Sequence, residues 1–494
     1  MGTSTRGHSS FNPLFPRFCR AGGKDVDYKY IINYICYQMA KRKRQTTMKK
    51  YVFLFFAVAS CIALSCSKQV FLDEGESDTH MRSEDITQQG SEYTIPLELA
   101  IEDMYSVLNA NPEMTKSSSD VSVRSSKTIS FGTMTKSGDI DNNPKLYVIG
   151  LSDGCTAVLG ADYRAPGVMA ILDEGTLDEE DFQESLNTID TKGQDDYRGP
   201  TEGDKITYVD EESFPSFLAG YFQEYVESRI VSSQSETKVL TTTYGGKTWE
   251  TYNYVPRLLK TVWSQGSPFN DDVIGDHPNC PAGCVSIALG QILAFFQYPS
   301  IIKGVYRAWP SIRNVYTHYS GVFNDGTISE KAQAASLVYA IGQDVDTSYD
   351  PSGSGAYDSD VIDALESYGF QWVQHHTWAN VGNDMDYYVR NSLLDNRPVF
   401  YTGQHMYNWF SYTGHAWVVD GYWDMHCNDE YMEWYRVNFG WEGLFNGWYL
   451  VGVFSPSSGL THYDPNNGDS YDPSNDAYAY SFTHWNTAIT MVHP

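Results

Sequence analysis

Residues 283–299 read GCVSIALGQILAFFQYP. From Val285 to Gln297 this stretch is apolar on nearly every face, the pattern of a helix buried in the middle of a domain. Tyr298-Pro299 stops it. Cys284 opens it, directly after Gly283. At a helix N-terminus the unsatisfied N–H groups and the dipole favour thiolate over thiol, and Gly283 lets a substrate backbone come close. A cysteine at the start of a buried helix is also common as inert packing, so its meaning depends on what else the chain supplies.

A base stands 131 positions downstream. His415 lies in YTGHAWVVDG, residues 412–421, at the start of an apolar strand and again after a glycine, Gly414. A histidine at a strand mouth can be a satisfied core residue. Paired with an upstream cysteine at this separation, it fits a thiol nucleophile with a general base. Asn438, in VNFGW, offers an amide to fix the imidazole tautomer. Gln265, in WSQGSPFN, offers an amide that could join the Cys284 N–H as an oxyanion donor.

Around these blocks, Lys331–Ile341 and Ser359–Tyr368 carry helical patterns. From Pro398 the texture changes: PVFYTG, HAWVVDGY, YRVNFGW and GWYLVGVF read as short strands joined by turns. Helices first and strands second in one unit predict an α+β fold. Ser455–Tyr480 predicts a long surface loop, and its carboxylate spacing matches no calcium loop.

Before this unit, Pro96–Ala110 predicts a helix and Thr115–Ser130 a polar loop. Lys145–Gly150 with Cys155–Gly160 predicts a hairpin, and Gly167–Asp173 a further strand. Phe214–Val226 predicts an amphipathic helix. The polar, Gly-ended segment Val231–Gly246 marks a domain boundary. Gly150-Leu-Ser152-Asp-Gly154 matches a nucleophile elbow, but that motif must lead into a helix. CTAVLG reads as a strand, so the glycines belong to a hairpin turn.

The chain has 494 residues and a net charge of −28, distributed unevenly. Residues 1–50 carry eleven Lys/Arg against two Asp/Glu; residues 251–494 carry nine against twenty-five. An acidic globular body repels phosphate backbones, so nucleic acid is not an expected partner. Eight cysteines include no CxxC pair and no Cys/His cluster of zinc spacing. No metal site is expected. Cys280 and Cys427 could pair in an oxidising compartment, which sequence does not decide.

Met48-Lys49-Lys50 followed by apolar Tyr51–Leu64 has the form of a signal peptide and is too short for a membrane-spanning helix. Ser65-Cys66 resembles the lipobox of bacterial lipoproteins, making Cys66 the candidate lipidated residue; Val58–Cys61 is a rival cleavage site. The expected domains are 1–47, an extension ahead of the biological start; 48–66, the signal; 67–245, a propeptide; and 246–494, the catalytic domain.

Four blocks in order, WSQGSPFN, GCVSIALGQILAFFQYP, GHAWVVDGY and VNFGWEGLFNGWY, resemble the streptopain family of cysteine peptidases. YDPSGSGAYDS at 349–359 resembles the family's Gly/Ser loop beside the cleft. The resemblance implies a papain-like catalytic domain preceded by a small α+β prodomain, and an endopeptidase made as a zymogen without a cofactor. It implies Cys284 as nucleophile, His415 as base, Asn438 as orienter and Gln265 as oxyanion donor, with Gly283, Gly414, Ser352, Ser354 and Trp441 about the cleft. The partners it implies are protein substrates and the prodomain as inhibitor; the Ser65-Cys66 signal adds an outer-membrane lipid anchor, so the expected location is exported, as an outer-membrane lipoprotein or a periplasmic or secreted protein. Phe439 stands where the family usually has Trp. An acyl-transfer enzyme or a catalytically dead surface binding protein on the same fold are the rival readings.

Overall fold

The structure, a computed structural model, describes residues 93–493 apart from 117–120, 135–139, 188–204, 234–246, 320–321, 382–383, 409–410, 429, 455–460 and 463–485. The expected signal and Cys66, and most of both the linker 231–246 and the loop 455–480, lie outside the described residues.

The N-terminal region begins with α1, Leu97–Ala110, and an antiparallel run of four strands: β1 Val123–Ser130, β2 Pro144–Leu151, β3 Thr156–Gly160 and β4 Val168–Leu172. β2 and β3 close as a hairpin across the Gly150–Gly154 turn, so the elbow-like motif is a turn. β1 corrects the expected loop. Its sequence VRSSKTIS is polar because most of the strand is exposed at the sheet edge. β5, Lys205–Tyr208, and α2, Phe214–Ser233, follow. α2 was expected to be one-faced. Instead Phe214, Leu218, Tyr221, Phe222, Tyr225, Val226 and Ile230 are buried, and so are Gln223, Glu224 and Ser228. This helix is enclosed on most of its circumference.

The C-terminal region opens with β6, Glu250–Val255, then α3, Cys284–Phe296. Eleven of the thirteen α3 residues are buried, as an all-round apolar pattern requires. Gly283 caps it at φ 90°, and Gln297 ends it in the left-handed region. α4, Ile328–Asp344, and α5, Asp358–Ser367, pack beside it. The strands are β7 Gln371–Thr377, β8 Val399–Asn408, β9 Ser411–Cys427, β10 Glu430–Asn438, β11 Gly447–Leu450 and β12 Thr487–Val492. Val451–Phe454, expected to continue β11, is one helical turn.

One sheet runs through both regions in the order β1-β2-β3-β4-β11-β10-β9-β8-β12-β7. The crossing point is β4 against β11, with Trp448 opposite Ile171 and Tyr449 opposite Ala170. β9 is long enough to serve different partners at its two ends. β5 pairs parallel with residues 411–414, and β6 antiparallel with residues 422–426.

Successive residues of a strand face opposite sides of the sheet, and this divides the core in two. Phe400, Ala416, Val418 and Ile489 face α3, α4 and α5. Tyr401, Trp417, Val419 and Ala488 face the N-terminal region, in one cluster with α1, β2–β4 and α2. Two ion pairs join the two regions: Arg436 with the half-buried Asp173, and buried Lys247 with Asp103 at 3.6 Å, Lys247 also meeting Glu430 of its own region at 2.7 Å. Cys155, Cys280, Cys284 and Cys427 are all buried and free, so Cys280 and Cys427 are not paired here.

Candidate active site

Cys284 sits at the N-terminus of α3, 2% exposed. Gly283 is required there by its positive φ and by proximity: an added Cβ would lie 2.9 Å from the Ser354 carbonyl. Burial pushes the Cys284 thiol up to about 12. The backbone N–H groups of Ala416, Val285 and Cys284 pull the other way. The loss of water thus outweighs the helix terminus in this enclosed form, against the expected preference for thiolate.

His415 is also fully enclosed, and burial holds it at about 4, against the upward pull of a hydrogen bond to Phe439. Its Nε2 lies 2.7 Å from the Phe439 carbonyl oxygen. A carbonyl only accepts, so Nε2 carries the proton and Nδ1 is the bare nitrogen. That Nδ1 is buried without a hydrogen-bond partner among the described residues. The ring lies nearly parallel to Trp441, with centroids 5.2 Å apart and planes at 9°. Phe214, the first residue of α2, closes the cage edge-on at 5.1 Å.

Strand alternation places these two groups on opposite faces of β9. Ala416 points its N–H at the sulfur and packs in the core of α3, whereas His415 shares the other face with Trp417. In this form a neutral thiol and a neutral imidazole are kept apart by the width of a strand.

The expected Asn438–His415 hydrogen bond is not made. Asn438 Nδ2 donates to the Thr261 carbonyl at 2.8 Å and to Gln291 Oε1 at 3.2 Å. Its Oδ1 accepts from Gln291 and from the Gly440 N–H. Asn438 thus ties β10 to the nucleophile helix, and the Phe439 carbonyl serves the imidazole. Gln265 is 5% exposed, and its Nε2 is a buried donor without a partner among the described residues. That is the property required of an oxyanion donor.

The cleft is occupied by the chain itself. β5 lies in register with β9, Tyr208 opposite Gly414, and the Val209 N–H donates to the Gly414 carbonyl at 3.0 Å. The Tyr208 hydroxyl donates to the Ala356 carbonyl at 2.8 Å, and its ring covers the turn at Gly353–Gly355. Ser354 is fully buried in that turn, while Ser352 is exposed and bonds Asp350. Tyr208, Val209 and Phe214 were not singled out in the sequence. KITYV at 205–209 has strand character, but nothing local says where it docks.

Among the described residues no helix is long and apolar enough to cross a membrane, and no group of His, Cys, Asp and Glu could hold a metal ion.

Residues 263–449 match the Peptidase C10 family. The chain is 29% identical over 220 residues to the thiol protease/hemagglutinin PrtT of Porphyromonas gingivalis, covering 40% of this chain and 24% of that protein. It is 23% identical over 378 residues to streptopain of Streptococcus pyogenes serotype M1, covering 68% of this chain and 80% of streptopain. A prointerpain A fragment from Prevotella intermedia superposes with a TM-score of 0.45 at 20% identity, over 75% of this chain and 99% of that one. The matched family span encloses Gln265, Cys284, His415, Asn438 and Trp441. The chain therefore carries a Peptidase C10 cysteine-peptidase region at residues 263–449 and is similar to PrtT and streptopain.

Proposed function

We propose that this cysteine peptidase is an exported endopeptidase held latent by residues 67–245, with the catalytic domain at 246–494, Cys284 as nucleophile and His415 as base. The observation that carries the reading is the prodomain strand β5 lying across the cleft while Phe214 closes the cage around His415. Both contacts come from the region that maturation would remove.

With that region gone, the end of β9 that β5 now pairs is free to rearrange, so that the His415 imidazole reaches the cleft face and takes the Cys284 proton. The thiolate attacks a peptide carbonyl carbon, and the oxyanion is met by the Cys284 N–H and Gln265. The intermediate collapses with loss of the C–N bond, and the imidazolium protonates the departing amine. Water then gives its proton to His415 and attacks the thioester, releasing the acid and the free thiol. Asn438 would orient the freed ring as its acceptor. Gly283, Gly414, Ser352, Ser354 and Trp441 border the cleft. The scheme uses no cofactor.

Export by the segment 48–66, with a lipid on Cys66, is part of the proposal. A Cys66→Ser variant should leave the membrane fraction for the soluble one; identical fractionation would remove the anchor.

The central test is hydrolysis of casein. Cys284→Ala and His415→Ala should each abolish it with the fold intact, because nucleophile and base act as a unit. Gln265→Ala should cost about 2.7–4 kcal/mol of transition-state stabilisation. Wild type should mature itself by cleavage within 231–247 to a fragment beginning near Thr248, while Cys284→Ala stays full length. Turnover by Cys284→Ala would overturn the assignment.

A further inference from the structure

A prodomain side chain that lies in the cleft, Tyr208, shows what that part of it accepts. The Tyr208 ring lies so close to the turn that a Cβ added to Gly355 would be 1.9 Å from it, and its hydroxyl ends at Ala356. Two residues further on, Asp358 begins α5. Its Oδ2 accepts from Thr487 Oγ1 at 2.5 Å and Thr402 Oγ1 at 3.5 Å, and lies 3.3 Å from His375 Nε2. All three contacts fall on one oxygen, so Oδ1 has no hydrogen-bond partner among the described residues.

Thr402 fixes how far this carboxylate is from the chemistry. It is the cross-strand partner of Ala416, whose N–H points at the Cys284 sulfur. Directly paired residues carry their Cβ atoms about 5 Å apart. Burial is what chiefly pushes the Tyr208 phenol and the Cys284 thiol up, and the Asp358 carboxylate adds a smaller push to both, as Asp360 does for Tyr208.

We propose that the recess filled by Tyr208 ends at the Asp358 carboxylate, and that in the mature enzyme it is a subsite for lysine and arginine side chains as well as aromatic ones. The proposal rests on the peptidase reading above. The methylenes of Lys or Arg can lie along Gly353–Gly355 where the ring now lies, with the cation carried on to Oδ1. A glutamate in the same place meets a like charge.

A bland role competes with this one: an acidic residue in the first turn of a helix is stabilising by itself. The discriminating experiment uses wild-type protein after maturation and an internally quenched peptide library carrying Arg, Lys, Tyr or Glu at each position in turn. One position should accept Arg, Lys and Tyr and reject Glu. Asp358→Asn should lower kcat/KM for the Arg and Lys peptides relative to the Tyr peptide by tenfold or more at that same position. In the precursor, Tyr208→Arg should preserve latency, and Tyr208→Glu should speed maturation.

Rejection of Arg and Lys at every position by active wild type overturns the subsite whether or not the variant folds. An unchanged Arg-to-Tyr ratio in an active Asp358→Asn enzyme does the same and leaves the helix-terminus role. Failure of wild type to cleave any peptide or casein overturns the peptidase reading, and the subsite with it.

Discussion

Inside the latent molecule, His415 exchanges water for rings. Phe214, Trp417, Phe439 and Trp441 surround it, and one carbonyl takes its single N–H. Its pKa of about 4 compares with roughly 6.5 in an unfolded chain. A histidine with a depressed pKa lends stability that is complete above the unfolded value and is lost as pH falls towards the folded one. Between about pH 6.5 and 4 the unfolded chain binds the extra proton, so His415 by itself takes about 1.4 kcal/mol per pH unit from the latent form. Asp103, raised by burial, has the opposite sign, so slopes must be compared between variants that both retain it. The melting temperature of Cys284→Ala should fall more steeply over this window than that of Cys284→Ala/His415→Phe, since Phe fits the cage and cannot charge. Parallel pH profiles would refute the burial account.

Between elements, β4 pairs with β11 and the Asp173–Arg436 ion pair stands beside that crossing. Arg436 is almost fully buried and also donates to the carbonyls of Val437 and Gly447. Removing Asp173 leaves that guanidinium with neutral partners only, a loss of about 2 kcal/mol. Asp173→Ala should lower the urea midpoint of the Cys284→Ala precursor and, with Cys284 intact, hasten maturation. An unchanged midpoint would mean that the strand pairing alone holds the junction.

The same scale explains what could be read in advance. α3 was legible because no amphipathic helix is apolar all round, and the start of α4 should have been. Thr327 and Glu330 form a reciprocal capping box there, one turn before the helix begins to look periodic. β1 was hidden because an exposed edge strand keeps no apolar alternation. Val451–Phe454 was misread because β-branched and aromatic residues favour strands unless packing overrides them. Cys284, His415 and Gln265 could be chosen by their chemistry. Tyr208, Phe214 and Asp358 could not, since their importance comes from long-range pairings such as Tyr208 with Gly414.

Taken whole, the molecule completes one sheet with strands it is proposed to discard. β11 has a hydrogen-bonded neighbour in β4, and Trp448, Tyr449 and Trp434 lie in the core shared with Val148, Ile171 and Phe222. The proposed maturation would bare that strand edge and thin that core after folding is over. On the proposed maturation, the mature enzyme would have no route back to the conditions under which it was assembled, and its lifetime would be set by the height of an unfolding barrier rather than by an equilibrium. Diluted from urea, Cys284→Ala precursor should regain its native circular dichroism. Mature enzyme trapped with a reversible thiol block should not regain activity unless residues 67–245 are supplied as a separate chain. Unaided recovery would show that the catalytic half carries its own folding instructions. Otherwise the segment cut away is a mould, used once, and each active molecule is a casting that cannot be remade.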